Sequence, residues 1–350
     1  MKITLVCFTS RGASLCQTLC KKLESAGHLC QKFTSEKKAE KSGLPSFGNS
    51  LSQWTRHWFC KEKSDGIIFI GACGIAVRAV APYLQGKTKD PAVVVVDEHG
   101  QFAISLLSGH IGNANHLTQL VAQQIGSTPV ISTATDCNHL FAVDSWAAGL
   151  GWSLSDMTLA KEVSAQLLEG ELVGFASDIP EQTEALPAGF TRKTEKSLGI
   201  HITIRSKSST FPKTLRIIPN LVSLGIGCRK GTSQETIEAM VLSVLGEHEI
   251  DIRSIKNINS ITLKQEEPGL LAFAKSHGWS IHFFSPEELA HAKGIFSASA
   301  FVQDTVGIDN VCERAAVLGS QGGILFIRKQ TGHGVTVAAA LEERRISLAN

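Results

Sequence analysis

The chain has 350 residues, 43% hydrophobic and 19% charged, a balance that builds two or three folded domains and excludes a disordered chain. A formal net charge of +2 excludes a polyanion binder that works through overall charge, though not a local basic groove. Nine cysteines, none in CxxC spacing and with no secretory signal ahead of them, argue against a disulfide framework.

The first apolar run, "KITLVCFT" (2–9), is too short for a signal peptide and reads as a buried strand. The next segment, 10–28, reads as a helix with Gly27 as its stop. It carries Cys16 and Cys20 one turn apart, but no second close pair completes a soft-metal site. Residues 32–64 are rich in lysine and serine and are expected to be a surface excursion before a short helix near Trp54 to Cys60. Three apolar, β-branched runs of strand length follow at 66–71, 92–97 and 129–133. The segments 74–84 and 113–126 between them have helical texture. Continuous apolar strands alternating with helices imply a parallel sheet covered on both faces. From His99 to Thr135 there is no Asp, Glu, Lys or Arg. Ser, Asn, Gln, Thr and His interrupt that stretch, so it is no membrane span, and a cytoplasmic protein is expected.

After Asp136 the texture changes. Residues 140–218 hold two helical stretches and the alternating runs "LVGFASD", "HITIRS" and "LRIIP", a small α+β module. From Leu221 come a strand (221–226), helices at 233–246 and 268–276, the strand "SIHFFS", a helix at 310–319, and the strands "GILFIRK" and "VTVAAAL". The expected fold class is α/β: an N-terminal parallel-sheet α/β domain over 1–137, a middle α+β module over 138–219, and a C-terminal α/β domain over 220–350.

Two strand–glycine–helix turns stand out. One holds Gly71 and Gly74 ahead of Arg78; the other holds Gly225, Gly227, Arg229, Gly231 and Thr232. Glycine allows close approach of a ligand to the backbone, a helix N-terminus offers free N–H groups, and arginine adds a bidentate cation. Neither turn carries the lysine–hydroxyl ending of a P-loop or a dinucleotide fingerprint. Thr232 with Glu235 also fits a capping box, which is plain helix initiation. "SLLSGHIGNANHL" (105–117) places Ser108, Gly109, His110 and Asn115 in a turn at the carboxyl end of a strand, where open α/β sheets bind ligands. His110 is the acid–base candidate there, against a buried histidine held by a carbonyl. Asp97 is placed either to orient it or to cap a turn, and Asp136 closes "TATD" with a carboxylate. Ser260, Lys264 and Glu267 lie near a helix start. Asn310 precedes a helix with Cys312, Glu313 and Arg314, as a helix cap would. Lys264 and Lys329 are ligand cations or solvated surface lysines. Cys228 and Cys312 are nucleophiles or, more ordinarily, small core residues.

The motifs "GACGIAVRAVAPYL", "SGHIGNANHL", "STATD", "GIGCRKGT", "SITLKQEEPGLL", "TVGIDNVCERAAVL" and "KQTGHGVTVA" occur in the order of the CbiG family, which the chain resembles from about residue 65 to 340. One departure is Asn113, where the family is expected to carry a second glycine. The resemblance implies a cobalt-precorrin-5A hydrolase of anaerobic cobalamin biosynthesis. Water opens the δ-lactone of a contracted cobalt macrocycle, and a two-carbon fragment leaves as acetaldehyde to give cobalt-precorrin-5B. It implies no resident cofactor, since cobalt arrives with the substrate, and no nucleic-acid or membrane partner. A homodimer is compatible with it. A substrate studded with acetate and propionate groups suits the glycine turns and cations, because helix N-termini and guanidinium groups take carboxylates as they take phosphates. His110, oriented by Asp97 or Asp136, would then move protons. Gly71, Gly74, Arg78, Ser108, Gly109, Asn115, Gly225, Gly227, Arg229, Gly231, Thr232, Lys264 and Lys329 would bind substrate. A non-catalytic corrinoid carrier is the alternative.

Overall fold

The computed structural model describes every residue except 87–88, 110–111, 134–139, 184, 209, 300–302, 305 and 349–350. It divides into two compact units, Met1–Ser145 and Trp146–Asn350.

The first unit is built on six strands: β1 (Lys2–Cys7), β2 (Leu29–Thr34), β3 (Gly66–Ile70), β4 (Ala92–Val96), β5 (Phe102–Leu107) and β6 (Thr128–Val130). Their order across the sheet is β2-β1-β3-β4-β5-β6. Strands β1 to β4 run parallel. Strand β5 is antiparallel to β4 and β6 is parallel to β5, so the expected parallel sheet carries one antiparallel pairing. Helices α1 (Ser10–Ser25), α2 (Glu36–Ser42), α3 (Leu51–Arg56), α4 (Cys73–Val80) and α5 (Ala114–Ile125) surround it. Much of the expected surface excursion is therefore ordered as the end of β2, α2 and α3. Apolar spacing on α1 buries Ala13, Cys16, Leu19, Cys20 and Leu23 against Ile3, Leu5 and Val94 on one face, with Leu117 and Val121 of α5 beside them. Trp54, Trp58, Phe69, Ala76 and Val80 cover the other face. Cys16 is a core thiol: its bond to Cys7, then burial, raises its pKa.

Helix α6 (Val143–Gly149) leads into the second unit, which holds two sheets. The first contains β7 (Ser153–Leu154), β8 (Val173–Ser177), β9 (Phe190–Thr191), β10 (Leu198–Ile202) and β11 (Lys213–Ile218), ordered β7-β11-β10-β8-β9, with α7 (Met157–Leu168). The second contains β12 (Val222–Cys228), β13 (Ile255–Ile261), β14 (Ser280–Phe284), β15 (Ile324–Gly332) and β16 (Val335–Leu341), ordered β14-β13-β12-β16-β15. Its helices are α8 (Gln234–Glu247), α9 (Pro268–His277), α10 (Pro286–Ala290) and α11 (Cys312–Gly319). Strands β12 to β14 are parallel, and the β15–β16 hairpin closes the far side antiparallel to β12. Apolar residues of β12, β13, α8 and α9 form one core layer, and α11 lies on the opposite face.

The two sheets are tied together at Asp251. Its carboxylate accepts from Arg216 Nη1 of β11 at 2.8 Å and from Arg253 Nε and Nη2 at 2.9 and 2.7 Å. Arg253 Nη1 also donates to the Leu154 carbonyl of β7. Backbone bonds from Ser206 to Glu249 and from Asp251 to Ile204 continue the seam.

Candidate functional site

In the first unit the carboxyl ends of β1, β3 and β4 form a cleft of about 390 Å³. Phe8, Thr9, Gly71, Ala72, Ile75 and Asp97 line it. It lies where the chain turns to opposite sides of β1, the place at which open α/β sheets take ligands. Gly71 donates its N–H to Val96 O at 2.8 Å, and a Cβ there would stand 3.0 Å from the Phe8 ring. Arg78 is exposed and bonds back to the Gly74 carbonyl of its own helix at 3.4 Å. The Asp97 carboxylate accepts the backbone N–H groups of His99 and Phe102 at 2.8 and 2.6 Å. It caps the β4–β5 turn.

The "SGHIGNANHL" loop sits elsewhere. Because β5 runs against β4, Leu107 pairs with Val93 at the start of β4, while Ala103 pairs with Val96 at its end. Ser108 and Gly109 therefore lie at the opposite edge of the sheet from Asp97, across about 17 Å of strand. His110 and Asp136 themselves fall outside the described residues. The segments leading to them are joined through Asn115, which is buried: Ser105 Oγ donates to its Oδ1 at 2.7 Å, and its Nδ2 donates to Thr133 Oγ1 at 2.9 Å. Sequence reasoning missed Ser105 and Thr133 in this role. Alternation along β5 was the available signal, since it puts Ser105 on the face that α5 covers. A Cβ on Gly109 would stand 2.9 Å from Asn115 Oδ1, and one on Gly112 would stand 2.2 Å from Ser108 Cβ. Both glycines are required by packing. Asn113 has φ 69°, a left-handed conformation that asparagine tolerates better than most non-glycine residues. That explains how it replaces the glycine expected there. A depression of about 780 Å³ opens beside this loop, lined in part by Asp65, Gln85, Lys89, Asp90, Gly112 and Asn113.

In the second unit, β12 enters the opening loop of α8. A Cβ on Gly225 would lie 1.8 Å from the Cys312 carbonyl oxygen, and one on Gly227 would lie 2.6 Å from Thr336 Oγ1. The close approach of α11 and a neighbouring strand is by itself reason for glycine at both positions. The loop beyond them is open. Gly231 has φ 75° with no atom within 4 Å of an added Cβ. Its N–H donates to Glu267 Oε1, and Lys264 Nζ bonds Glu267 Oε2 at 3.1 Å. The Gly231 bond, outweighing burial and helped by Lys264, lowers the Glu267 pKa. A carboxylate of the chain thus already rests on the loop amide. Thr232 Oγ1 donates to Arg229 O at 2.8 Å, and Ser233, one residue after the expected cap, accepts from Thr236 N to start α8. Arg229 is exposed and its stem lies over Gly334 of the hairpin.

Arg229, Gly231, Thr232 and Lys264 thus share one edge with the β15–β16 hairpin, and Lys329 lies three residues before the turn at Gly332. The Lys329 N–H donates to Glu313, whose fully buried carboxylate also accepts from Ser297 N and Oγ. Asn310 Oδ1 caps the Glu313 N–H at 2.8 Å, as a helix-starting residue should. Burial raises the thiol pKa of Cys228, and that of Cys312 to about 11. Both are protonated near neutrality and poorly suited to act as nucleophiles. Among the described residues no three His, Cys, Asp or Glu side chains gather as a metal-ligand set, and no helix is long and apolar enough to cross a membrane.

Three family models tile the chain: Cobalamin synthesis G N-terminal over residues 54–136, Cobalamin biosynthesis central region over 141–219, and Cobalamin synthesis G C-terminus over 222–340. A cobalt-precorrin-5A hydrolase of Salmonella typhimurium is 38% identical over 349 residues, covering 96% of each chain. One from Priestia megaterium is 33% identical over 80% of this chain and 79% of its own. A solved cobalamin biosynthesis protein G homolog from Sulfolobus solfataricus is 22% identical over 97% of each chain, with a TM-score of 0.41.

Proposed function

The chain belongs to the CbiG family, and from that premise we propose that it is a cobalt-precorrin-5A hydrolase. The observation that carries this reading is the 38% identity to a protein of that name across 96% of both chains. The proposed reaction has two parts. Water adds across the δ-lactone ester, giving a carboxylate and a free hydroxyl on the two-carbon fragment. Loss of that hydroxyl's proton then lets the carbon–carbon bond break, releasing acetaldehyde and leaving the bonding pair on the macrocycle.

In this reading His110, supported by Asp136, carries protons in the loop that Asn115 braces. Arg229, Lys264 and the Gly231 amide receive peripheral carboxylates, with a substrate carboxylate displacing Glu267 from one or both partners. The exposed Arg229 and the half-buried Lys264 suit an acid-bearing ligand, and no step of the proposed chemistry needs a cofactor beyond the cobalt that the substrate brings. The reading places the protein in the cytoplasm with a small-molecule partner only.

Incubation with cobalt-precorrin-5A tests it. Stoichiometric acetaldehyde is expected from the wild type, and His110→Ala should lower release by about 100-fold while corrinoid binding persists. Binding without any acetaldehyde from the wild type would make the protein a carrier instead.

A further inference from the structure

The middle sheet holds a cluster of side chains that the proposed site does not use. His201, on β10, stands between a hydroxyl and a carboxylate. Its Nδ1 lies 2.6 Å from Ser208 Oγ, and its Nε2 lies 3.0 Å from Asp178 Oδ1. Asp178 Oδ2 accepts from Thr203 Oγ1. Thr210 Oγ1 lies 3.1 Å from Ser208 Oγ and 3.2 Å from His201 Nδ1. The bond to His201, against partial burial and with help from Thr203, holds the Asp178 carboxyl below its ordinary range.

We propose that Ser208, His201 and Asp178 form an acyl-transfer triad whose substrates are carboxylic esters and lactones. Three observations support it. The order hydroxyl–imidazole–carboxylate, each at one hydrogen bond, is what an activated serine requires, and it is recognised by geometry rather than by sequence order. With Nε2–H donating to Asp178, Nδ1 is the acceptor that faces Ser208. The position is also right. β8, β10 and β11 are parallel, and both Asp178 and Ser208 follow the carboxyl ends of their strands, the ligand edge of such a sheet. Finally, the Asp178 side chain is 46% exposed and Ser208 is half-buried, so the cluster opens at the surface. It therefore suits an ester on the rim of a large rigid molecule, not one that must be engulfed. The Arg205 charge bears on Asp178 and is exposed, placing a cation beside the cluster for an acid-bearing ligand.

The step balances. Ser208 Oγ bonds to the acyl carbon as its proton passes to His201 Nδ1. The C–O bond of the ester breaks, and the departing alkoxide takes that proton. Water then attacks the acyl-serine, its proton passing through His201 back to Ser208 Oγ, so that ester and water become acid and alcohol. For its particular ester the proposal rests on the function above: the δ-lactone is the ester opened here. Asp178 is a positioning residue that fixes the imidazole.

The test uses the full chain and two probes. An alkyl fluorophosphonate should label Ser208, read by peptide mass. Labelling should disappear in Ser208→Ala and slow by about 100-fold or more in His201→Ala and Asp178→Asn, with circular dichroism unchanged. A structural hydroxyl would not be phosphonylated, so absence of label on Ser208 in the folded wild type overturns the triad. Acetaldehyde release from cobalt-precorrin-5A should fall by about 100-fold or more in Ser208→Ala. Labelled Ser208 with undiminished release in Ser208→Ala would overturn the lactone as its ester. Labelling in a wild type that releases no acetaldehyde would support the triad and count against the family-level function alone.

Discussion

Asp251 offers the sharpest quantitative test of how the second unit is held together. Its side chain is 7% exposed and lies between Arg216 and Arg253. Burial opposes its ionisation, but the bonds from Arg253 and Arg216 outweigh it and bring the pKa from 3.8 to about 2. The folded state thus binds the proton more weakly than the unfolded one. The contribution is complete at neutral pH and disappears as pH falls from about 4 through 2. The shift corresponds to about 2 kcal/mol at pH 7, with about half of it gone by pH 3. Asp251→Asn keeps an acceptor and loses the charge. It should lower stability by about 2 kcal/mol at pH 7 and by about half as much at pH 3. Amide exchange over β11 and β13, the strands flanking the seam, reads this difference locally. Taking wild type minus variant at each pH removes the effect of other carboxylates. A gap that stayed constant between pH 7 and 3, or that never exceeded about 0.5 kcal/mol, would refute the argument.

Two further outcomes follow from the second sheet. Gly225→Ala drives a methyl into the α11 backbone, so it should cost about 2–3 kcal/mol in a thermal melt; a ligand-loop glycine would leave melting unchanged and weaken binding alone. Arg229→Ala and Lys264→Ala should each weaken corrinoid binding about tenfold in an absorbance titration, and the Arg229 change should leave the melt where it is. Unaltered affinity in both variants would remove this edge from the binding site.

Apolar runs were legible as strands wherever both faces of the strand are buried, as in β1, β3 and β4. β13 is not legible as a strand because its run, "IKNINSI", reads as polar, and Ser260 reads as part of a helix start. In the fold, Asn259 Nδ2 donates to Leu224 O, and Ser260 Oγ donates to Ile226 O. Neighbouring carbonyls take up these two donors and lower the cost of burying them. β2 was partly lost because it is an edge strand with exposed positions, as in "LCQKFT".

The residues alone establish the chemical inventory: exposed-type cations beside glycine turns, a histidine in a glycine loop, alternating α and β elements, and motif order specific enough to point to a family. They leave open which glycine faces a ligand and which faces a helix, because Gly225 and Gly231 look alike until the positions of Cys312 and Glu267 are known. Nor do they reveal strand direction. A single antiparallel pairing, β4 with β5, carries Ser108 and Gly109 to the edge opposite Asp97. Direction is chosen by hydrogen-bond pairing between segments, which local composition does not encode. The same holds for His201: the parallel register of β8 and β10 brings it to Asp178, and the loop after β10 brings Ser208 to its other nitrogen.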